Sequence, residues 1–297
     1  MVKRNFIIGD EWLYYKIYSG HKTSEKILTE IIKPVSEELI SQNIIDKWFF
    51  IRYNDPKFHL RIRFHLINSG IEKVIKLLKN KLEPYIENFH IYSVQTDTYK
   101  REIERYGKNT IEETENLFGL ESIMIANMAD SIERDEGEDI RWKFAIKAVD
   151  TLYSDFGFNL NMKLSIFEIL KDNFGKEFNF NKNLKKQLDS KFRKNRASIE
   201  SIIRNKGEEY NYLKSVLDFI TLKSKQSLTS VQKIINIKKE NKLKVEFNNL
   251  MSSYSHMLTN RIFLVSPRLN EYVIYYLLHK YYKSEIARNK TRNLKIS

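Results

Sequence analysis

Residues 58–64 alternate between polar and apolar side chains, and this pattern constrains the fold more than any other feature of the sequence. The polar side chains on one side are His59, Arg61 and Arg63. The apolar side chains on the other side are Phe58, Leu60, Ile62 and Phe64. Such alternation predicts a β-strand with one face in a core. The other face would be a rigid platform of two arginines, whose planar guanidinium groups suit a carboxylate. An anionic substrate group is therefore expected there.

Composition sets broad limits on the class of protein. The chain has 297 residues, of which 42% are hydrophobic and 13% aromatic. That length gives ample material for a core, and that composition excludes a disordered chain. The absence of cysteine excludes disulfides, thiolate catalysis and cysteine-ligated metals. No apolar run approaches membrane-spanning length, and the N-terminus lacks a signal-peptide pattern. Cytoplasm is the default expectation.

The formal net charge of +13 has two interpretations. One is a compositional bias that scatters lysines over solvated faces. The other is a polyanionic partner such as tRNA. These interpretations differ in their salt dependence, because binding to a nucleic acid weakens steeply as ionic strength rises.

The order of apolar patterns predicts an α+β fold in a single domain, 1–297. Its first part, 1–109, is an N-terminal antiparallel ferredoxin-like sheet unit of β-α-β-β-α-β order. Its second part, 110–297, is a mainly helical layer. The predicted strands are 2–9, 12–18, 47–53, 58–66 and 91–96, with a turn at 54–56. The predicted helices are 23–42, 71–81, 111–133, 139–156, 159–172, 182–195, 197–225, 242–260 and 269–288, with breaks at 173–181 and 205–211.

Each chemically interesting stretch also has an ordinary structural interpretation. The arginines of 58–64 could lie solvated on an edge strand. Glu102 and Arg105 have the spacing of a weak surface ion pair on a helical turn. A lone histidine such as His256, on an amphipathic helix, is more often a hydrogen-bonded core residue than a catalyst. Residues 117–122 form a packing segment.

Several kinds of site are disfavoured by the sequence. It contains no nucleophile elbow, P-loop, dinucleotide-binding fingerprint or HExxH motif. No cofactor is therefore expected. The histidines show no i,i+4 pair, so no metal site is expected either. The histidines are His21, His59, His65, His90, His256 and His279.

Four stretches together resemble a known family. They are an aromatic segment, Trp12–Tyr18; a Trp-Phe-Phe-Ile-Arg-Tyr…His-Leu-Arg-Ile-Arg segment, Trp48–Arg63; Arg-Glu-x-x-Arg-Tyr-Gly at Arg101–Gly107; and His-Met-x-x-Asn-Arg at His256–Arg261. In this order they resemble the C-terminal domain of class I lantibiotic dehydratases, a domain also found as free-standing proteins in thiopeptide biosynthesis. The likeness spans nearly the whole chain.

This resemblance implies a lyase activity. In the family, the domain removes glutamate from glutamylated Ser/Thr of a ribosomal precursor peptide and leaves dehydroalanine or dehydrobutyrine. The implied partners are the precursor peptide and a separate glutamyl-tRNA-dependent glutamylating protein, so that the chain would be the elimination half of a split dehydratase; a homodimer is a further option.

The resemblance also implies roles for individual residues. The catalytic set is Arg61, Arg63, Glu102, Arg105 and His256, and the substrate-binding set is His59, Arg101, Asn260 and Arg261. Arginines would hold the glutamyl carboxylate and developing negative charge, and His256 would transfer a proton. The base and the acid are not distinguished. A single active site would require His256 to point at Arg61 or Arg63.

Two alternatives stay open. Related free-standing members catalyse a formal four-plus-two cycloaddition of two dehydroalanines, which builds the pyridine ring of thiopeptides and does not need arginines that bind glutamate. The second alternative is a non-catalytic module that binds precursor peptide or tRNA.

Overall fold

The computed structural model describes residues 2–67, 69–132 and 137–293. The chain divides into two compact units, each made of two segments. The first unit consists of Met1–Ser131 and Lys225–Ser253, and the second of Ile132–Ser224 and Tyr254–Ser297. The predicted division at residue 109 is therefore not where the compact units divide, because helical segments after it belong with the sheet.

The main sheet of the first unit has the predicted topology. It is antiparallel with the order β3-β4-β2-β5, which is the arrangement that a split β-α-β unit produces. A separate two-stranded sheet pairs β1 with β6, so the predicted strand 2–9 shrinks to two residues. The strands are β1 Asn5–Phe6, β2 Trp12–Ser19, β3 Ile45–Asn54, β4 Phe58–Leu66, β5 Ile91–Thr96 and β6 Tyr99–Lys100.

The apolar face of β4 lies in the core, as the alternation in the sequence predicts. Leu60, Ile62 and Phe64 are fully buried, and each such side chain stabilises the fold by roughly 1.5–3 kcal/mol. The turn before β4 lies where Asn54 and Pro56 predict it, between the end of β3 and Phe58. The pairing order also makes β4 a central strand, so the interpretation of its arginines as solvated groups on an edge strand is wrong.

Helices α1 to α5 belong to the first unit together with the sheet. The predicted helix 23–42 is a continuous helical stretch with a π-helical segment, Ile27–Ile32, between α1 and α2. The predicted helix 71–81 extends to Glu87, and the predicted helix 111–133 ends at Ser131, residue 133 lying outside the described residues. The helices are α1 His21–Lys26, α2 Lys33–Ser41, α3 Ile71–Glu87, α4 Ile103–Tyr106 and α5 Ile111–Ser131.

The helix α5 packs on the outer strand β3, which confirms the packing role of residues 117–122. Ser122 accepts a hydrogen bond from the backbone N–H of Phe50 at 3.1 Å. A Cβ on Gly119 would lie 3.4 Å from the carbonyl oxygen of Trp48, so the absence of a side chain permits this close approach. The contact covers a strand edge that would otherwise be open to pairing.

Long helices follow, and two of them are shared by the units. They are α6 Gly137–Asp155, α7 Leu160–Glu177, α8 Lys182–Ile203, α9 Glu208–Lys239, α10 Phe247–Ile262 and α11 Pro267–Asn293. Both α9 and α10 begin in one unit and end in the other. Among the described residues, no helix is both long and apolar enough to cross a membrane.

Two of the predicted helix breaks differ from those in the structure. The helix α7 continues through Gly175, where a missing Cβ leaves room for Phe180 and Tyr272 at 3.4–3.5 Å. The predicted interruption at 196 is wrong, because α8 continues to Ile203. The break that follows has Asn205 at a φ of 54° and Gly207 at 94°, a left-handed conformation that Asn and Gly tolerate and that ends helices.

Candidate active site

The polar face of β4 continues onto both neighbouring strands. On β2, Lys16 lies opposite Arg61 and Tyr14 opposite Arg63. On β3, Phe49 lies opposite Arg63. Partners that face each other across antiparallel strands point to the same side of the sheet, so the two arginines share this face with a lysine and several aromatic rings.

Arg63 is a buried cation that forms no salt bridge with a carboxylate among the residues that the structure describes. Its side chain is 7% exposed, and its Nε and Nη1 atoms have no hydrogen-bond partner among the described residues. The guanidinium carbon lies 4.3, 4.9 and 5.1 Å from the ring centroids of Tyr14, Tyr99 and Phe49. Cation–π contact offsets part of the cost of burial, yet burial still lowers the pKa of Arg63. These open donors are suited to an incoming anion.

Arg61 is held by its neighbours within β4 and β3. Its Nε donates to Nε2 of His59 at 3.1 Å, and its guanidinium carbon lies 3.4 Å from the ring centroid of Tyr53. The Nδ1 atom of His59 lies 2.8 Å from the carbonyl oxygen of Lys57. Burial is the largest cause of a lowered pKa of His59, and the charge of Arg61 lowers it further.

His59 therefore positions an arginine. Its side chain is fully buried and stacks on Tyr18 at a centroid distance of 4.4 Å. Both ring nitrogens are occupied, by Lys57 and Arg61. These contacts favour an indirect role for His59, through Arg61, over direct binding of substrate.

Two carboxylates accompany the cations. Asp97 pairs with Lys16, and this hydrogen bond lowers the pKa of Asp97. Glu102 accepts from Nη1 of Arg105 at 3.4 Å, which confirms the predicted i,i+3 pair. Glu102 also interacts electrostatically with Arg63.

Arg105 is anchored by a residue that the sequence does not single out. Its Nε donates to Oγ of Ser253 at 3.1 Å, and Ser253 belongs to the part of α10 in the first unit. With Lys16, Arg61, Arg63 and Glu102, this arginine forms what we call the basic cluster. With Asp97 counted, the four cations lie with two exposed carboxylates, Asp97 and Glu102. The remaining positive charge would attract a carboxylate-bearing ligand.

Each nitrogen of the Arg101 guanidinium donates a hydrogen bond within the protein. Its Nε and Nη2 donate to the two carboxylate oxygens of Glu115 at 2.7 and 2.6 Å, and Nη1 donates to the carbonyl oxygen of Lys3 at 3.1 Å. Tyr99 donates to the same carboxylate at 2.8 Å, and its ring contacts Arg63. These contacts favour a supporting role for Arg101 over direct binding of substrate.

In the second unit, His256 is paired with a buried carboxylate. Its Nδ1 lies 2.8 Å from Oε2 of Glu271. The imidazole is 29% exposed and the carboxylate 2%. Because a carboxylate only accepts, Nδ1 carries a proton and Nε2 remains for proton transfer. Glu271 is fifteen residues away on another helix, so no local pattern in the sequence indicates it.

The remaining predicted site residues lie on the same helix as His256. Arg261 is fully buried, and its Nη1 donates to the carbonyl oxygen of Met257 at 3.2 Å. Asn260 is partly exposed. Within the described part of the chain, no group of three or more His, Asp or Glu side chains could hold a metal ion.

Sequence comparison places these features in a family. The sequence model described as "Lantibiotic biosynthesis dehydratase C-term" matches residues 12–282, a range that covers both units. The nisin biosynthesis protein NisB of Lactococcus lactis subsp. lactis is 29% identical over 144 residues, which is 48% of this chain and 14% of NisB. The subtilin biosynthesis protein SpaB of Bacillus subtilis is 30% identical over 40% of this chain and 12% of SpaB. The aligned regions thus cover only a small fraction of these relatives.

Solved structures share the fold at low identity. The tRNA-dependent lantibiotic dehydratase MibB from Microbispora sp. 107891 superposes with a TM-score of 0.70 and 16% identity, over 96% of this chain and 29% of MibB. The pyridine synthase TbtD from thiomuracin biosynthesis superposes with a TM-score of 0.64 and 9% identity, over 93% of this chain and 98% of TbtD. The fold, the motifs and the family match agree: the chain belongs to the family of lantibiotic biosynthesis dehydratase C-terminal domains.

Proposed function

We propose that this protein removes glutamate from glutamylated Ser/Thr side chains of a ribosomal precursor peptide and leaves dehydroalanine or dehydrobutyrine. The single observation that carries the proposal is that Nε and Nη1 of the buried Arg63 have no hydrogen-bond partner among the described residues, on the same face of β4 as Arg61. A buried cation with open donors is costly unless a ligand supplies the missing anion, and a glutamyl group brings a free carboxylate.

The chemistry divides into three tasks. A base takes the Cα proton, the Cα–Cβ double bond forms, and the Cβ–O bond breaks so that its electron pair leaves on the glutamate carboxylate. Negative charge develops on the peptide carbonyl and on the departing oxygen, where fixed cations lower the barrier. In the basic cluster, the fixed cations are Arg61, Arg63 and Arg105. Glu102 orients Arg105.

Proton transfer is assigned to His256. Its Nε2 is the ring nitrogen that is open for exchange, since Nδ1 is held by Glu271.

A glutamylating protein that uses glutamyl-tRNA would provide the substrate. The direct experiment gives the 297-residue polypeptide a synthetic precursor peptide that bears one glutamyl ester on serine. We expect free glutamate and a peptide lighter by one water than the unmodified peptide, detected by mass spectrometry. Dehydration of the unmodified peptide by this polypeptide alone, or no turnover of the ester, would contradict the proposal.

A matched control distinguishes an effect of the basic cluster from an effect of removing any arginine. Arg4 lies in the same unit and pairs with Glu104 at 2.7 Å on the surface. Arg4→Ala should eliminate glutamate at the parent rate, whereas Arg61→Ala should accumulate the glutamylated peptide. Equal loss in both variants would indicate that net charge, rather than the cluster, matters.

The second candidate is cycloaddition of two dehydroalanines. It is favoured by the fold likeness to the pyridine synthase TbtD, which extends over 98% of that chain. That reaction has no glutamate to bind, so it leaves the open donors of Arg63 unexplained. A peptide with two dehydroalanines and no glutamyl ester tests it directly: formation of a pyridine chromophore would favour cycloaddition over elimination.

A further inference from the structure

We propose that Glu271 is the positioning residue that fixes the tautomer and the orientation of His256. This inference rests on the proposed function, because His256 must transfer a proton for the tautomer to matter. Glu271 lies in the first part of α11 and His256 on α10. The pairing of their side chains therefore depends on helix packing within the second unit.

The carboxylate of Glu271 is itself held on both sides. Oε2 receives the imidazole of His256 at 2.8 Å, and Oε1 accepts from the hydroxyl of Tyr275 at 2.8 Å. With 2% of its side chain exposed, Glu271 is shielded from competing water. A carboxylate fixed at both oxygens can fix the plane of the imidazole that donates to it.

Tyr275 keeps this arrangement in one protonation state. Its pKa is raised well above the ordinary value, chiefly by burial and further by the charge of Glu271. Its hydroxyl also contacts Oγ of Ser255 at 2.8 Å, and Ser255 contacts the hydroxyl of Tyr153 at 3.3 Å. The phenol therefore remains a donor to Glu271 throughout the working pH range.

Two further charged groups near this pair, Arg268 and Glu177, form a salt bridge with each other. Arg268 donates to both carboxylate oxygens of Glu177 at 2.9 and 2.7 Å. The same guanidinium lies 3.6 Å from Oε2 of Glu271, beyond hydrogen-bond distance. Glu271 is thus the carboxylate in direct contact with His256, with Arg268, Glu177 and Tyr275 as the ionisable neighbours of the pair.

Such an arrangement makes Nε2 the atom that exchanges a proton with substrate. Without the carboxylate, the neutral ring would populate both tautomers, and the form with a proton on Nε2 cannot act as a base. By analogy with carboxylates that orient catalytic or metal-bound imidazoles, loss of the positioning group should cost about 10- to 100-fold in rate.

The variant Glu271→Gln tests the positioning role, because glutamine has nearly the same shape as glutamate but carries no charge. Its matched control is Glu177→Gln, which also removes a carboxylate near Arg268 but touches no atom of His256. Both are assayed with the synthetic glutamyl-serine peptide. We expect kcat to fall about 10- to 100-fold in Glu271→Gln with KM within about twofold, and no such fall in Glu177→Gln.

Nuclear magnetic resonance of ¹⁵N-labelled histidine gives a readout that a purely structural role would not move. In the unaltered protein at neutral pH, His256 should show the tautomer protonated on Nδ1 when neutral. In Glu271→Gln it should show a mixture. A neutral His256 protonated on Nε2 in the unaltered protein would overturn the inference. This test needs no variant, so it holds even if Glu271→Gln does not fold.

A further variant separates failure of this inference from failure of the proposed function. If His256→Phe is inactive and a folded Glu271→Gln retains the parent kcat, Glu271 has no positioning role, while the function of His256 stands. If both variants eliminate glutamate at the parent rate, the assignment of His256 fails, and the inference fails with it.

Discussion

Arg61 donates its Nε–H to Nε2 of His59, 3.1 Å away and two residues earlier in the same strand. Since an arginine only donates, His59 accepts at Nε2 and carries its proton on Nδ1, where the carbonyl of Lys57 lies 2.8 Å away. The imidazole is therefore neutral in the folded protein. A protonated His59 would place two cations in contact, which agrees with its lowered pKa.

The first prediction concerns this hydrogen bond. His59→Phe keeps an aromatic ring for the stack on Tyr18 but removes the acceptor for Arg61. We expect elimination to slow about tenfold, the equivalent of one hydrogen bond, and less than in Arg61→Ala. Turnover of the glutamylated peptide measures it. A loss as large as that of Arg61→Ala would mean that His59 itself contacts the substrate.

The second prediction separates activity from stability at Arg63. Arg63→Met removes a buried cation whose donors are open, so the free energy of unfolding should stay level or rise. Elimination should slow by about 10²–10³-fold, by analogy with removal of one oxyanion-hole donor. Arg63→Lys should rescue poorly, because a point charge cannot reproduce the planar fork.

Urea denaturation and glutamate release, measured on the same preparations, check both halves of that prediction. If Arg63→Met unfolds more easily by more than about 2 kcal/mol, at the upper end of a desolvated cation–π contact, the aromatic contacts outweigh the cost of burying the charge. Full elimination activity in a folded Arg63→Met would remove the central argument for carboxylate binding.

The third prediction assigns Arg101 a structural role. Arg101→Met leaves Glu115, which is 1% exposed, as a buried carboxylate without a cation, and Tyr99 still donates to it. The free energy of unfolding should fall by about 3–5 kcal/mol. The double variant Arg101→Met/Glu115→Leu should recover much of that loss, since no charge remains buried. A single variant with unchanged stability and impaired KM would instead identify Arg101 as a substrate ligand.

The fourth prediction is a pH dependence of stability at His279. Burial is the main cause that lowers the pKa of this residue from 6.5 to about 4, and its Nδ1 has no partner among the described residues. The folded state thus binds the proton more weakly than the unfolded chain. Its contribution is fully present above pH 6.5 and is lost as the pH falls toward 4.

The full shift corresponds to about 3 kcal/mol, at 1.36 kcal/mol per pKa unit. Between pH 7 and pH 5 the parent should lose about 2 kcal/mol more than His279→Gln, whose side chain does not titrate. Urea unfolding at the two pH values measures the difference. Parallel losses in the two proteins would show that the protonation of His279 is not linked to folding.

The sequence by itself determined the strand framework and the residues that carry charge on it. Period-two alternation assigned Arg61 and Arg63 to one face, because successive side chains in a strand point to opposite sides. Short motifs and their order determined the family. Both kinds of information are local, so they survive without knowledge of what packs against them.

Only the tertiary structure decided which of those charged side chains are paired within the protein and which have donors without a partner among the described residues. Arg101 and Arg63 look alike in the sequence, yet one is saturated by Glu115, fourteen residues away, and the other meets aromatic rings. Glu271 likewise reaches His256 only through the packing of two helices. Partners brought together by folding leave no periodic trace in the sequence, because their contacts depend on how elements pack and not on local spacing.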